Sequence, residues 1–519
     1  MFRFKKAGIL IISIIVVIAI LNFCLSFWIE KKLPQLINSE KNSEYYLTYK
    51  DVDLSIWNSF IRIYEIKIVP KNSKESKKIG VFASVNEIEV TNFSIISILF
   101  SDKIKARKLT IHKPDIILYK DNSKVISNPK SIRNKIVQPF EKVIVVSNII
   151  LKRGNLKIFY ENGNEDLAEF KNLNLELDGI VINEKSLQKS IPFEYENFNI
   201  SCSSALFKPN EFYTLQTKKI KVTPEDFKIE EFKLLPTHSR GEFIQKIPFE
   251  KDLYTILAAK IDLKNTDWGF NDSDDFYFNC DSIVLNELDA NIYRSKVPND
   301  DNSKKKLYNE LLRELPIDLS IKTINLKDSK LVYEEQLNIN DLPGKLYFDD
   351  MNASIDLITS GRKVNQVKDT EIKVNCTFMQ ESKLNVTWKF NVLDKTEGFK
   401  IKGKLLNFSA EKMDYFTKPY LNVNFKGDLE EVYFDFKGND YKNSGNFALK
   451  YDDLKLTVFR NNKPHKKNKF LTTVGNLFLK NDSNEKLKTV AVNVERNQEK
   501  SFYNYLWISV AEGLKKILL

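Results

Sequence analysis

Glycine and proline are scarce in this 519-residue chain, 16 and 15 respectively, which excludes collagen-like and low-complexity classes. Histidine is scarcer still. His112, His238 and His465 lie in separate segments, and nothing beside them suggests a catalytic or metal-binding partner. No H-E-x-x-H, G-x-S-x-G, P-loop or G-x-G-x-x-G pattern occurs, so neither an enzymatic activity nor a cofactor is expected. Of the four cysteines, Cys24 lies in an apolar N-terminal run, and Cys202, Cys280 and Cys376 are far apart. No pair has the C-x-x-C spacing of a zinc site. The odd number outside that run argues against a disulfide framework and leaves room for one bridge. Asp274-Asp275 and Asp349-Asp350 read as turn residues rather than acid/base pairs. Glu334-Glu335 reads as a solvent-exposed strand end.

The formal net charge is +11, yet acids and bases alternate through the body. The one dense basic stretch is Lys463, Lys466, Lys467 and Lys469. The charge therefore reads as a solvated surface, with no nucleic-acid partner. What is abundant is strand-forming: 36 Phe and 21 Tyr, with plentiful Ile and Val.

Ala7 to Ile29 is almost continuously apolar, broken only by Ser13, Asn22 and Ser26. Roughly 23 residues at about 1.5 Å each span about 34 Å, enough to cross a bilayer. Arg3, Lys5 and Lys6 precede the run, and Trp28 stands where an interfacial aromatic belongs. The expectation is an uncleaved anchor, since the run is long for a signal peptide and no A-x-A site ends it. The expected divisions are a cytoplasmic tail (1–6), a transmembrane helix (7–29), an exported β-rich body (30–500) and a C-terminal amphipathic helix (501–519).

The body alternates apolar and polar residues at the period of half-buried strands, as in Leu421, Val423, Phe425, in Phe447, Leu449, Tyr451, and in Leu454, Leu456, Val458. Exceptions with helical character are Lys304 to Glu314 and Phe93 to Phe100. An internal repeat overlies the alternation. Around Pro114, Ile104, Ala106, Leu109 and Ile111 lie ten, eight, five and three positions before, and Ile116 and Leu118 two and four after. The same offsets around Gly154 give Ile144, Val146, Ile149, Leu151, Leu156 and Ile158; around Ser329 they give Leu319, Ile321, Ile324, Leu326, Leu331 and Tyr333. A copy around Leu288 has Phe278, Cys280, Ile283, Leu285, Ala290 and Ile292, and a weaker one around Glu225 has Leu215, Thr217, Ile220, Val222, Phe227 and Ile229. The parity of the apolar positions changes before the fifth preceding residue, which predicts a bulge there. It changes again at the pivot, which predicts a turn between two strands. Units that cannot bury their own faces stack into one sheet.

In these patterns the chain resembles the AsmA-like family of bacterial envelope proteins. The resemblance rests on the anchor, on the strand pair Tyr49 to Ile63, on Ala83 to Val90, and on the strand–Pro–strand element Ile104 through Leu118. A C-terminal half is matched by Gly403 to Leu406, Met413 to Pro419, Val423 to Phe436 and Gly445 to Val458. In the first strand pair the family commonly has glycine where this chain has Asn58-Ser59-Phe60. The family's larger members look like bridge-like lipid-transfer proteins. The resemblance therefore implies an elongated, curled antiparallel β-sheet with a repeating apolar groove, periplasmic on an inner-membrane anchor. It further implies phospholipid acyl chains as partners, in support of outer-membrane biogenesis. Groove candidates are Ile104, Leu109, Ile111, Ile116, Leu118, Ile144, Val146, Ile149, Leu151, Leu156, Ile158, Ile321, Ile324, Leu326 and Leu331. The alternative is a non-enzymatic scaffold or assembly factor binding an envelope protein partner.

Ser501 to Leu519 departs from the strand period. Phe502, Leu506, Val510 and Leu514, with Tyr503, Trp507, Ile517 and Leu518, fit a helix. Leu506, Trp507, Val510 and Leu514 would dock it, either capping the sheet's end or lying on a membrane, and Lys515 and Lys516 suit both.

Overall fold

Alternation does produce strands here: in a computed structural model, the described residues form 22 of them and few helices. The structure describes residues 45–71, 80–94, 104–120, 144–160, 166–181, 193–271, 275–362, 364–458 and 482–518. The expected anchor, Cys24, His465 and the lysine-rich stretch at 463–469 lie outside these. Among the described residues no helix is long and apolar enough to cross a membrane. The chain divides into two compact units.

The first unit holds β1 (Tyr45–Thr48), β2 (Asp51–Ser55), β3 (Phe60–Pro70), β4 (Gly80–Phe93), β5 (Ile104–Lys120), β6 (Ile144–Tyr160), β7 (Asp166–Asp178), β8 (Asn197–Cys202) and β9 (Ser204–Asn210). β10 (Tyr213–Thr217) and β12 (Asp226–Pro236) belong partly to each unit, and β11 (Lys219–Val222) to the first. β1 and β2 both pair with β3, and β3 through β7 follow in order, with β8 and β9 both on β7. All these pairings are antiparallel except β5–β6, which is parallel.

The second unit runs β13 (Asp252–Phe270), β14 (Phe276–Ser295), β15 (Asp318–Gln336), β16 (Gly344–Thr359), β17 (Thr370–Phe378), β18 (Ser382–Phe390), β19 (Phe399–Ser409), β20 (Val423–Gly438), β21 (Lys442–Val458) and β22 (Lys488–Glu495). Each pairs with the next, antiparallel apart from β14–β15. The sheet is thus mixed, not antiparallel as expected. Repeat copies that run in the same direction can lie side by side only as parallel strands, and a parallel pair needs a long crossover. In the second unit that crossover carries a short helix, α2 (Tyr308–Arg313), after α1 (Arg240–Lys246); α3 (Asp414–Leu421) and α4 (Phe502–Leu518) follow. Of the expected helix at Lys304 to Glu314 only α2 forms; of the stretch Phe93 to Phe100, Phe93 ends β4 and residues 95–100 lie outside the described residues.

The repeat is visible in the pairing itself. Ile104 faces Ile144, Ala106 faces Val146, Leu109 faces Ile149, Ile111 faces Leu151, Ile116 faces Leu156 and Leu118 faces Ile158. In the second unit Phe278 faces Leu319, Cys280 faces Ile321, Ile283 faces Ile324, Leu285 faces Leu326, Ala290 faces Leu331 and Ile292 faces Tyr333. The first parity change falls where pairing skips a residue: Arg107 and Ser147 in one unit, Asp281 and Lys322 in the other. Left-handed residues stand opposite on the antiparallel neighbours, Asn92 at φ 54°, Asn265 at φ 50° and Leu357 at φ 59°.

At the pivot the expectation of a turn is corrected. β5, β6, β14 and β15 run straight through it as single strands of 17, 17, 20 and 19 residues. The residue before each pivot is instead left-handed: Lys113 at φ 47°, Arg153 at φ 54°, Glu287 at φ 51° and Asp328 at φ 48°. One such residue returns the next side chain to the same face without ending the strand. The Glu225 copy is not such a unit. It falls across β10, β11 and β12, with a turn in which the Thr223 N–H donates to the Asp226 carbonyl at 2.8 Å. Leu421 likewise ends α3 instead of opening a strand; Asn422 then turns left-handed at φ 55° and β20 begins at Val423.

The C-terminal helix forms where the spacing predicts it. It lies on β21 and β22 and buries Phe502, Tyr505, Ile517 and Leu518 among Trp388, Phe399, Ile401, Phe436, Phe447, Leu449 and Val492. Leu506, Val510 and Leu514 pack around this cluster, and Trp507 stays 39% exposed. Gly513 sets the distance of approach, because a Cβ there would stand 2.4 Å from the Phe447 ring. Ser509 is fully buried and accepts a hydrogen bond from the Asn443 amide at 2.8 Å. Gly513→Val is therefore expected to lift α4 from the sheet and cost about 1–3 kcal/mol, read as a lowered urea midpoint. An unchanged midpoint would show that the helix does not need this close approach.

Candidate functional site

Among the described residues no group of three or more His, Cys, Asp or Glu is placed to hold a metal ion. Cys202, Cys280 and Cys376 are free and buried, and burial pushes the Cys376 thiol up to about 11. What the structure assembles instead is an apolar face in each unit.

In the first unit, register places Ile61, Ile63, Ile66 and Ile68 of β3 opposite Val90, Ile88, Val85 and Ala83 of β4. These in turn face Leu109, Ile111, Pro114 and Ile116 of β5, and the row passes to β6. On β7 it continues as Leu177, Leu175, Leu173, Phe170 and Ala168. The face thus carries an apolar residue at nearly every position. Toward β1–β3 it closes into a core of Leu47, Leu54, Ile61, Ile66, Val85, Val90 and Phe93, against which Leu109 and Ile111 pack. Farther along, Ile149, Leu151, Leu156 and Ile158 remain only partly buried, as do Ile116 and Leu118, while Val146 is buried. Ile104 and Ile144 are placed in strands paired with one another.

The pivot residues serve this face by being compact. A Cβ on Gly154 would meet the Leu151 side chain at 2.8 Å and the Pro114 ring at 2.9 Å. The apolar rows therefore close up across the parallel pair where each strand is bulged.

In the second unit Ile283 and Leu285 of β14, Ile324 and Leu326 of β15, and Ile355 of β16 form a similar row, all partly buried. Ile321 is buried and Leu331 partly so. This row ends in charge. Past Ala290 and Ile292 the same face presents Arg294, paired with Asp252 at 3.0 Å and Glu250 at 3.4 Å. Lys296 binds Glu250 at 2.8 Å and Glu335 at 3.2 Å. Glu335 also accepts from the Tyr333 and Tyr420 hydroxyls, each at 2.7 Å. Burial works against the Arg294 charge, but Asp252, Tyr333 and the two glutamates outweigh it and hold its pKa raised. Burial, then Glu335, pushes the Tyr333 phenol far up.

Glu334, one residue along, serves the opposite face. It accepts two hydrogen bonds from Arg240 of α1, at 2.7 and 3.1 Å, and one from Asn291 at 2.7 Å. Arg240 also lies 4.1 Å over the Tyr293 ring, which packs with Phe243, Ile244, Ile247 and Leu253. The expectation that Glu334-Glu335 is solvent-exposed is thus corrected: the two are 4% and 9% exposed. Arg240 and Asn291, which hydrogen-bond Glu334, are remote in sequence from it, and Lys345, at 3.4 Å, reaches it only through the β15–β16 register, so no local signal marked the pair.

Compared with known proteins, the chain matches no family model and no curated protein.

Burial raises the Glu334 pKa, but the hydrogen bonds from Arg240 and Asn291 prevail and hold it below the ordinary value. A lowered folded-state pKa contributes stability that is complete above the unfolded value of about 4.3 and is lost as pH falls through the folded one. Glu334→Gln is expected to cost about 1–3 kcal/mol at neutral pH. The gap between variant and wild type should narrow as the medium is taken below pH ~4. Urea titrations at neutral and acid pH check both statements.

Proposed function

We propose that this chain is an AsmA-like envelope protein that binds or shuttles lipid along its apolar sheet faces. Its N-terminal run anchors it in the inner membrane, and its body lies in the periplasm, where it supports outer-membrane biogenesis. The observation that carries this reading is the first unit's apolar face, whose Ile149, Leu151, Leu156 and Ile158 are aligned in register with β5 yet only partly buried. A sheet face of this kind suits acyl chains: moving hydrocarbon out of water is worth about 0.8 kcal/mol per methylene. No bond is made or broken in this role, so the protein needs neither cofactor nor metal. The resemblance gains support at Ser59, which takes the left-handed φ of 50° in the turn between β2 and β3, where the family commonly has glycine.

Ile149→Lys separates a lipid-bearing face from a closed core. On a lipid-bearing face the lysine's stem lies along the row while its ammonium reaches water. The thermal melt then stays near that of the wild type, and lipid recovered with the purified protein falls. In a filled core the same lysine costs several kcal/mol and unfolds the unit. A retained fold with no lipid in either protein would remove the transport role and leave a scaffold that binds an envelope protein partner.

A further inference from the structure

The C-terminal helix is apolar on more sides than the sheet can cover. Its sheet-facing side is accounted for by Phe502, Tyr505, Ser509, Gly513 and Ile517, all buried. The outward side still presents Tyr503 at 64%, Trp507 at 39% and Ile508 at 41% exposure. A helix that is apolar all round is ordinarily covered all round. The patch continues beyond the helix: the Tyr503 hydroxyl lies 3.3 Å from that of Tyr308 on α2, and one turn along α2 Leu311 is 46% exposed.

We propose that the outward face of α4 is a bilayer-contact surface, seated in the interface between headgroups and acyl chains. The chemistry on the page selects this occupant. Tyr and Trp, each with an apolar body and a polar tip, are the residues that settle at a membrane interface. Lys515, exposed in the last turn of α4, stands where headgroup phosphates would meet it, whereas Lys516 turns back to the sheet and donates to the Ala491 carbonyl at 3.0 Å. The single acid of the helix, Glu512, lies 3.6 Å from Lys516, so the helix keeps a net positive end. One helix thus serves two surfaces, its inner side closing the sheet and its outer side meeting lipid. This contact uses residues distinct from the apolar rows and stands apart from the proposed lipid carriage.

The test reconstitutes the full chain into phosphatidylcholine nanodiscs and floats them with vesicles of phosphatidylethanolamine and phosphatidylglycerol. The wild type is expected to float about five-fold more than empty nanodiscs. Trp507→Glu combined with Ile508→Glu should return flotation to the level of empty discs, and far-UV circular dichroism matching the wild type shows that the fold is kept. Trp507→Phe combined with Ile508→Leu keeps the face apolar and should float like the wild type. Three outcomes overturn the proposal: a wild type that does not float, as a protein partner on this face would give; a charged variant that floats normally; or an apolar variant that fails like the charged one. Lipid recovered with the purified protein should be the same in all three, so loss of flotation is distinguishable from failure of the lipid-carrying rows.

Discussion

The structure depends on keeping apolar side chains on one face of strands too long to do so by alternation alone. β14 and β15 run for 20 and 19 residues, and strands of that length twist and must bend to stay paired. The bend is supplied by single left-handed residues such as Lys113, Arg153, Glu287 and Asp328. Each returns the next side chain to the face it would otherwise leave. Without that correction every residue beyond the bulge would present its polar partner to the apolar side. The parallel registers of β5–β6 and β14–β15 hold only because both members of each pair bulge at the same step.

Apolar faces of this kind therefore meet two fates, one in each unit. In the second unit's C-terminal strands, Phe436, Phe447 and Leu449 are completely buried, because α4 and Leu307, at the start of α2, pack over them. On β5 and β6 of the first unit, residues of the same kind and register remain partly exposed. Apolar area left in water forgoes about 25 cal/mol per Å². A protein able to build a helix-covered core in one place and leaving a long uncovered row in another has, on our proposal, a ligand for the row.

The buried ion pairs show the limits of strand-by-strand thinking. Glu334 and Glu335 are adjacent, yet alternation sends one to Arg240 and the other to Lys296 and Tyr420, on opposite faces. Buried charges persist when hydrogen bonds satisfy them, and here each carboxylate accepts at least two. The network around Arg294 also gives the second unit's apolar row a defined polar end.

By itself the sequence determined the strands, the offsets of the repeat, the place of the first parity change and the span of the last helix. These follow from local periodicity: a two-residue alternation, its shifts of parity, and a switch to helical spacing after Ser501. Only the tertiary structure decided that the pivots are bulges within continuous strands, that repeat copies pair in parallel, and that Glu334 and Glu335 are buried. A parity shift is the same string whether the chain turns or bulges, because both reset the face. Which one forms is settled by the strand alongside, and that neighbour is brought there by a crossover whose length carries no record of where it lands.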